Sequence, residues 1–528
     1  MADQLWHRWE AGPVVTADAG RPPQTYILQL VTHKRPEEPL SVLYVAAECF
    51  PMIKVGGLGD VAGFLPKALA RLGHDVRVVL PFYSSADLNG DPHQLTTVPV
   101  DLGGRPTKAE IFQTSHPSGA TTYLVANQAY FHREHAYGYP DDDERFIFFC
   151  KAVAAFLAAS RWVPDVVHCN DWHSAMIPYY LRNGSNPHLF SRTSTVFTIH
   201  NLSYQGPYTT RTQELMDLPQ TADGNMMAMG IRYADALNTV SPTYLSEILT
   251  PEFGENMDGL LRERLPDLRG ILNGIDYDEF NPSCDLHIPA WYDVHSIPKK
   301  TKNKTVLQHW SRLPLSEATP VVGFVSRLAE QKGIDLICHA LEPLMEMGIQ
   351  LVVMGRGDAG YEEMLKAHAD RHPGTMTYHQ RDDETLARLI YAGADILLAP
   401  SNFEPCGLGP LIAIRYGTVP TVRATGGLVD TIINYADDPA RGLGFSFDGK
   451  APQALVDAVE SALIVYYRRE QWRSLVRRLM TADFSWGRSS REYVRLYRHA
   501  LRKQPRTPKA DSRDWSPSPL MGDRASGF

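Results

Sequence analysis

Long apolar runs are missing from this chain. Nowhere do hydrophobic residues approach the roughly 18 in a row that a membrane-spanning helix needs, so no membrane partner is expected. Closely spaced cysteines are missing too. The six present, at 49, 150, 169, 284, 338 and 406, are too scattered for a zinc site or a disulfide framework, and a reducing compartment fits them. The first 40 residues carry Glu10, Asp18, Glu37 and Glu38 and lack both the apolar centre of a secretion signal and the acid-poor character of a transit peptide. A cytoplasmic protein is expected. There is no excess of positive charge: the formal net charge is -8, with basic and acidic residues interspersed, which argues against a nucleic-acid partner. No G-x-S-x-G occurs, so Ser241 in TVSPTY has no nucleophile context and is read as a helix cap.

What is present is length and alternation. At 528 residues with 44% hydrophobic content, the chain is too long for one core and suits two or three domains. After a polar lead-in over residues 1–40, residues 41–47 (SVLYVAA) read as a buried strand. A loop with Gly56, Gly57 and Gly59 follows, then a helical pattern from Asp60 to Leu72 and a second strand over 75–80, which together make a βαβ unit. Pro66 inside that helix predicts a kink or a later start. Further strands are expected at 121–126, 165–168, 195–200 and 236–240, with helices over 146–160 and 174–182, one running up to Ala234 and one starting at Pro242. The crossover to a second domain is placed near Leu268, within about ten residues.

From Val321 the alternation is regular, with strands expected at 321–325, 350–354, 376–379, 396–399, 419–422 and 444–447 and a helix over 334–347. The fold class is therefore α/β, with two doubly wound, Rossmann-like domains facing a central cleft. The first spans 41–268 and the second 269–485, and a long amphipathic helical stretch covers 452–480. A last helix, with 486–501 as its segment, is expected to pack back on the first domain, and a disordered tail over 502–528.

The densest cluster of signals is SNFEPCGLGPLIAIRYG, residues 401–417. It follows a strand-like run and precedes a helix, with Pro410 suited to the first turn and Gly417 to the stop. Glu404 is its lone carboxylate, and Gly407 and Gly409 would let backbone N–H groups approach an anion. Taken alone, an ordinary βα loop with a glutamate facing water explains it better. Arg327 and Lys332 in SRLAEQKG could neutralise a diphosphate, although for an isolated pair a solvated helix start is much the better explanation. Gly355, Gly357 and Gly360 form a G-x-G-x-x-G after a strand and before a helix, which raises a nicotinamide-dependent oxidoreductase. Against it, that fingerprint normally opens the first unit of its domain. His168, His173 and His200 show no H-x-x-x-H or carboxylate–histidine set with convincing ligand spacing, so a metal-independent site is expected, with no cofactor. Asp171 and Trp172 either line the crevice or, in the case of Asp171, cap the following helix.

The order of these motifs is more specific than any one of them. KVGGLGDV (54–61), DWH (171–173), FTIHNLSYQG (197–206), NTVSPTY (238–244), LNGID (272–276), SRLAEQKG (326–333), FEPCGLGP (403–410) and TGGLVDT (425–431) together resemble bacterial glycogen synthases and plant starch synthases. The resemblance covers roughly residues 41–500. It implies a GT-B fold and retaining transfer of glucose from ADP-glucose to the 4-OH at the non-reducing end of an α-1,4-glucan. UDP-glucose is a second donor to consider. A weakly active glucan-priming or glucan-binding paralogue is a further alternative.

By the same resemblance, Arg327 and Lys332 bind the donor diphosphate and stabilise it as leaving group. Glu404 contacts the glucosyl ring; Cys406, Gly407, Leu408 and Gly409 supply the loop around the donor, with Gly355 nearby. Lys54 and Gly57 close onto the phosphates from the first domain. Asp60, Asp171 and His200 line the sugar and acceptor side, the His200 main-chain carbonyl steadying charge at the anomeric carbon, and Asn273 lies at the hinge side. The sequence departs from the family at Gly409 and Pro410, where many members have Thr-Gln, and at Val55, where many have threonine. Return of the acceptor on the front face, with the departing phosphate taking its proton, is expected over a double displacement through Glu404.

Overall fold

The computed structural model describes residues 38–88, 90–116, 119–218 and 224–503. The tail expected from residue 502 and the lead-in before residue 38 lie almost wholly outside them.

Apolar runs build the sheets. β1 (Ser41–Val45), β2 (Asp75–Pro81), β3 (His93–Leu102), β4 (Arg105–Ser115), β5 (Thr121–Ala126), β6 (Val166–Asn170) and β7 (Ser194–Ile199) come first in the chain. After β8 (Pro207–Tyr208) and β9 (Gly224–Asn225), which pair only with each other, come β10 (Ala236–Thr239) and β11 (Leu268–Gly270). They form a nine-stranded sheet in the order β11-β10-β7-β6-β1-β2-β5-β4-β3. It is parallel except at β3/β4 and β4/β5. Side chains from both faces of β1 are buried, Val42 and Tyr44 on one side and Leu43 and Val45 on the other, as expected of a parallel sheet covered by helices.

The second sheet contains β12 (Val321–Val325), β13 (Gln350–Met354), β14 (Met376–His379), β15 (Ile396–Ala399), β16 (Val419–Arg423) and β17 (Phe445–Phe447). Its order is β14-β13-β12-β15-β16-β17, and every pairing in it is parallel.

Both sheets reverse their winding direction at one place, and ligands of open α/β sheets bind at the carboxyl ends of the strands there. In the first sheet the switch lies between β1 and β6, in the second between β12 and β15. The loops that leave those four strands are the ones that carry KVGGLGDV, DWH, SRLAEQKG and FEPCGLGP.

Three local outcomes differ from the sequence reading. The helix expected from Asp60 begins at Gly57 and runs to Arg71 straight through Pro66. A proline there deprives the carbonyl four residues earlier of its N–H, and that carbonyl, on Ala62, instead accepts the Cys49 thiol at 3.3 Å. Second, the segment between β2 and β5 forms an antiparallel hairpin, with Gly103 and Gly104 both at positive φ in its turn. Third, the stretch over 452–480 is two helices, Pro452–Tyr467 and Arg469–Thr481.

The last helix, Trp486–Leu501, lies against β7 and β10. Its Tyr497 hydroxyl meets His168 Nδ1 at 2.8 Å, and its Tyr493 hydroxyl accepts from Asn238 Nδ2 at 3.2 Å. His168, fully buried and also bonded to Thr198, is thereby a structural histidine. Burial holds its pKa well below the ordinary range.

Candidate active site

In the second lobe the loops after β12 and β15 are laced together. Asn402 donates its backbone N–H to Gln331 O at 2.8 Å and its side-chain amide to Glu330 O at 2.7 Å. Gly333, at φ +70, lets the first loop come so close that a Cβ there would stand 2.0 Å from Pro400 O. This lacing puts Lys332 Nζ 2.7 Å from Glu404 Oε2, which also accepts the Ser401 hydroxyl at 3.0 Å. The ion pair is partly open to the cleft, with the lysine side chain 21% and the glutamate side chain 13% exposed. Glu404 O in turn accepts the Gly427 N–H at 2.9 Å, which ties FEPCGLGP to TGGLVDT.

Arg327 is exposed, and its side chain makes no hydrogen bond or ion pair among the described residues. Its backbone is fixed all the same. Leu328 N–H donates to Arg356 O and Asp358 N–H to Leu328 O, each at 2.8 Å. A Cβ at Gly355 would lie 1.9 Å from Ser326 O, and one at Gly357 2.2 Å from Leu328 O. Two glycines of the G-x-G-x-x-G are therefore consumed in packing one loop on the other, so they position Arg327 rather than bare a cradle for a dinucleotide. The oxidoreductase reading loses its footing here.

In the first lobe the loop after β1 is organised by Glu48, which the sequence reading passed over. Its Oε2 accepts the N–H groups of Val55 and Gly56, and its Oε1 accepts the Tyr137 hydroxyl at 2.7 Å. A strand-end carboxylate directly after SVLYVAA was the available signal. Lys54 pairs with Asp60 at 2.8 Å across the first turn of the Gly57 helix.

The loop after β6 turns on Asp171, whose φ of 52 and ψ of -178 form a backbone conformation costly for any residue but glycine. Its carboxylate does not cap the short helix that follows, contrary to one of the two roles considered for it. It accepts the His200 N–H at 2.7 Å, and the Asn201 N–H on the same side also favours its charged form. In a trans peptide the carbonyl points opposite the N–H, so holding Asn201 N–H aims the His200 carbonyl away from Asp171. Burial pushes the Asp171 pKa up to about 7, against the pull of those two N–H donors. The His200 ring is bonded to Asn170 Oδ1 at 2.9 Å, and burial lowers its pKa to about 3. His173, its ring tilted 30° against Trp172 with centroids 4.1 Å apart, is lowered to about 3 by burial and then by Arg145. Its buried Nδ1 has no hydrogen-bond partner among the described residues.

The two sets of loops face each other. A Cβ on Gly57 would come within 3.6 Å of Leu408 Cδ1, so the N-terminal turns of the Gly57–Arg71 and Leu408–Arg415 helices approach one another. Gly407, at φ +86, begins the second of them. Ser241 caps its own helix by accepting Tyr244 N–H at 3.1 Å and donates to Pro405 O at 2.6 Å. Asp430 accepts the N–H and hydroxyl of Thr243, while Glu247 accepts the N–H of Gly426 at 2.8 Å. Asn273 is buried beside Cys406, and its Oδ1 has no hydrogen-bond partner among the described residues. Burial raises the Cys406 thiol to about 12, which leaves it an unreactive filler. Gly409 is open, with only the Tyr391 hydroxyl 3.4 Å from a Cβ built there. Glu247 and Ser401, like Glu48, were not among the residues read from sequence. Nothing in the spacing of Glu247 marks it, because its partner lies 179 residues away.

Two Rossmann-like lobes, each presenting its switch-point loops to one cleft, are the architecture of GT-B glycosyltransferases. Residues 41–263 match the starch synthase catalytic domain, and residues 310–478 match the glycosyl transferases group 1 model. A glycogen synthase of Moorella thermoacetica is 45% identical over 482 residues, covering 88% of this chain and 98% of that protein. The catalytic domain of starch synthase IV from Arabidopsis thaliana, solved bound to ADP and acarbose, superposes with a TM-score of 0.85 at 32% identity, over 88% of this chain and 100% of that one. A sucrose-phosphate synthase from Thermosynechococcus elongatus shares the fold, with a TM-score of 0.57 at 18% identity over 87% and 98% of the two chains. The chain belongs to the glycogen synthase and starch synthase family, and it is a glucosyltransferase. Among the described residues no helix is long and apolar enough to cross a membrane.

Proposed function

We propose that the protein transfers glucose from ADP-glucose to the non-reducing end of an α-1,4-glucan with retention of configuration. The second lobe takes the nucleotide sugar and the first takes the acceptor. The observation that carries this reading is the pairing of an uncommitted guanidinium, Arg327, with the Lys332–Glu404 ion pair at the switch point of the second sheet. Arg327 and Lys332 converge on the diphosphate, and their charge stabilises it as it leaves. Lys54 and the Gly57 N–H close on the same phosphates from the opposite lobe, with Asp60 holding the lysine in place. Glu404 orients the glucosyl ring and keeps Lys332 aimed.

As the glycosidic bond breaks, positive charge grows at the anomeric carbon, and the His200 carbonyl dipole faces it. The acceptor hydroxyl attacks from the side the phosphate leaves, and a phosphate oxygen takes its proton. Glu404 Oε2 already accepts bonds from Lys332 and Ser401, which suits an orienting carboxylate better than a nucleophile. A glucosyl ester trapped on Glu404 and seen by mass spectrometry would overturn this route.

Donor and acceptor are tested together by incubating the protein with labelled ADP-glucose or UDP-glucose and glycogen. Incorporation from ADP-glucose is expected to exceed that from UDP-glucose, and release of the label by an exo-acting α-glucosidase places it at the non-reducing end. No incorporation from either donor would refute the reading.

A further inference from the structure

The outer surface of the second lobe carries a group of side chains that glucosyl transfer does not use. Glu342 lies on the helix Ile334–Glu346, His368 on the neighbouring helix Ala359–Arg371, and His372 at the C-cap of that second helix. The two histidines are four residues apart in AHADRH, and His372 N–H donates to His368 O at 3.0 Å. Helical spacing is therefore kept to the end, and the rings stand parallel, with centroids 6.3 Å apart and 4° between planes. Glu342 reaches both with one oxygen: Oε1 is 3.3 Å from His372 Nε2 and 3.5 Å from His368 Nδ1. One ligand atom from each of the three residues lies within 4.8 Å of the others.

These separations suit a small tetrahedral cation. With metal–nitrogen and metal–oxygen bonds of about 2.0–2.1 Å, ligand atoms around it stand about 3.3–3.5 Å apart. Both glutamate–histidine distances already meet that spacing within about 0.2 Å. The histidine ligand atoms, within 4.8 Å of one another, would close the remaining gap by side-chain rotation. Two imidazoles and one carboxylate, with a water completing the set, is a zinc-type donor set, whereas calcium and magnesium prefer all-oxygen surroundings.

A purely structural cluster is the competing explanation, and Arg371 is its centre. The guanidinium lies 3.6 Å from Glu342 Oε1 and 2.8 Å from His368 Nε2. Its side chain is 58% exposed, so it can swing into water and give up its place. We propose that Glu342, His368 and His372 form a surface site for a divalent transition ion of the zinc class, with Arg371 as the counter-charge that the ion displaces. His368 is about 14 Å along its helix from Ala359, and the loop before that helix is the one packed on Arg327. The ion would clip two outer helices together without touching the transferring groups, so it is no cofactor of the reaction.

The test uses the full chain without a polyhistidine tag, freed of metal by a chelator and titrated with Co2+ by visible absorption. Intense tetrahedral bands at one ion per chain and a metal-dependent rise in Tm are expected. His368→Ala, His372→Ala and Glu342→Gln should each weaken binding at least about 10-fold, and Arg371→Ala should tighten it. Glucosyl transfer without added metal should be unchanged in all four, which also shows that each variant is folded. Undiminished Co2+ absorption in the His368→Ala/His372→Ala double variant would overturn the site, as would only the weak bands of octahedral Co2+ in the unaltered chain. Unchanged or weaker binding in Arg371→Ala would overturn the role given to the arginine.

Discussion

The two lysines facing the cleft are held in different ways. Lys54 is paired inside its own loop with Asp60, on the first turn of the helix that follows, and side-chain acceptance by Glu48 shapes the backbone around it. Lys332 is paired between loops, with Glu404, 72 residues further on, and the backbone around it is shaped by a glycine that lets two main chains touch. The first arrangement can form before the lobe is complete. The second exists only when β12 and β15 are side by side. The first lobe therefore resists substitution through polar bonds and the second through close packing, and different variants should break each.

The largest effect is expected in the second lobe. Lys332→Ala and Glu404→Ala should each lower kcat by about 100- to 1000-fold. Arg327→Ala should cost a similar factor in kcat/KM for the donor but leave the thermal midpoint unchanged, because its side chain has no partner to lose. Near-wild-type turnover in either member of the ion pair would refute its assignment.

In the first lobe, Asp171→Ala should lower turnover by about 10- to 100-fold by freeing the His200 and Asn201 peptides. Asp171→Asn keeps an oxygen acceptor and should recover much of that loss. If both variants are equally impaired, the carboxylate acts by its charge and not by positioning.

Two glycines sharpen the contrast in packing. Gly333→Ala places a Cβ against Pro400 O at positive φ and should cost about 1–3 kcal/mol in denaturant unfolding. Gly57→Ala meets Leu408 only at ordinary contact distance and should change stability by less than about 0.5 kcal/mol. It should still slow transfer if the phosphates approach that N–H.

The polar first lobe also carries a pH dependence. His173 has a folded pKa of about 3 against an ordinary 6.5, so between those values the unfolded chain holds a proton that the folded chain does not. Its contribution is lost as pH falls from about 6.5 towards 3, with a slope of at most about 1.4 kcal/mol per pH unit. His173→Gln should flatten acid unfolding by that amount. Asp171 acts in the opposite sense. Its pKa of about 7 against 3.8 means the folded chain binds the extra proton, so its contribution is lost as pH rises through that window. Asp171→Asn should steepen the loss of stability on the acid side.

Much of this architecture was legible because buried parallel strands are short, apolar and bounded by turn residues. β5, β12, β13, β14 and β15 fall where the apolar runs predict. The β3–β4 hairpin escaped because its exposed strands alternate polar residues with few apolar ones, although Gly103-Gly104 signals the turn. The start of the Gly57 helix escaped because glycines and an internal proline argue locally for a loop, and tertiary partners such as Glu48 and the Cys49 thiol override that preference. Motif order singled out Arg327, Lys332 and Glu404 as candidates, yet only the folded arrangement separates the exposed guanidinium from the paired lysine. His368 and His372 spell an H-x-x-x-H on a helix, far from the histidines that follow the strands. Glu342, from another helix, completes the group only in space.

The chain passes from the first sheet to the second just beyond β11 and returns just before the last helix, and the two passages touch. Ile275 N–H donates to Phe484 O at 2.9 Å, Ile275 and Ser485 form a parallel bridge, and a Cβ on Gly274 would stand 2.6 Å from Trp486 N. Two adjoining covalent crossings work like a door with its pins set side by side. Rotation about the line joining them bends each crossing slightly, while twisting or sliding would tear the bridge between them. Any relative motion of the lobes would thereby be narrowed towards one swing, which is expected to bring Lys54 and Arg327 together along a repeatable path, and cutting the chain after residue 485 should leave that swing without its axis.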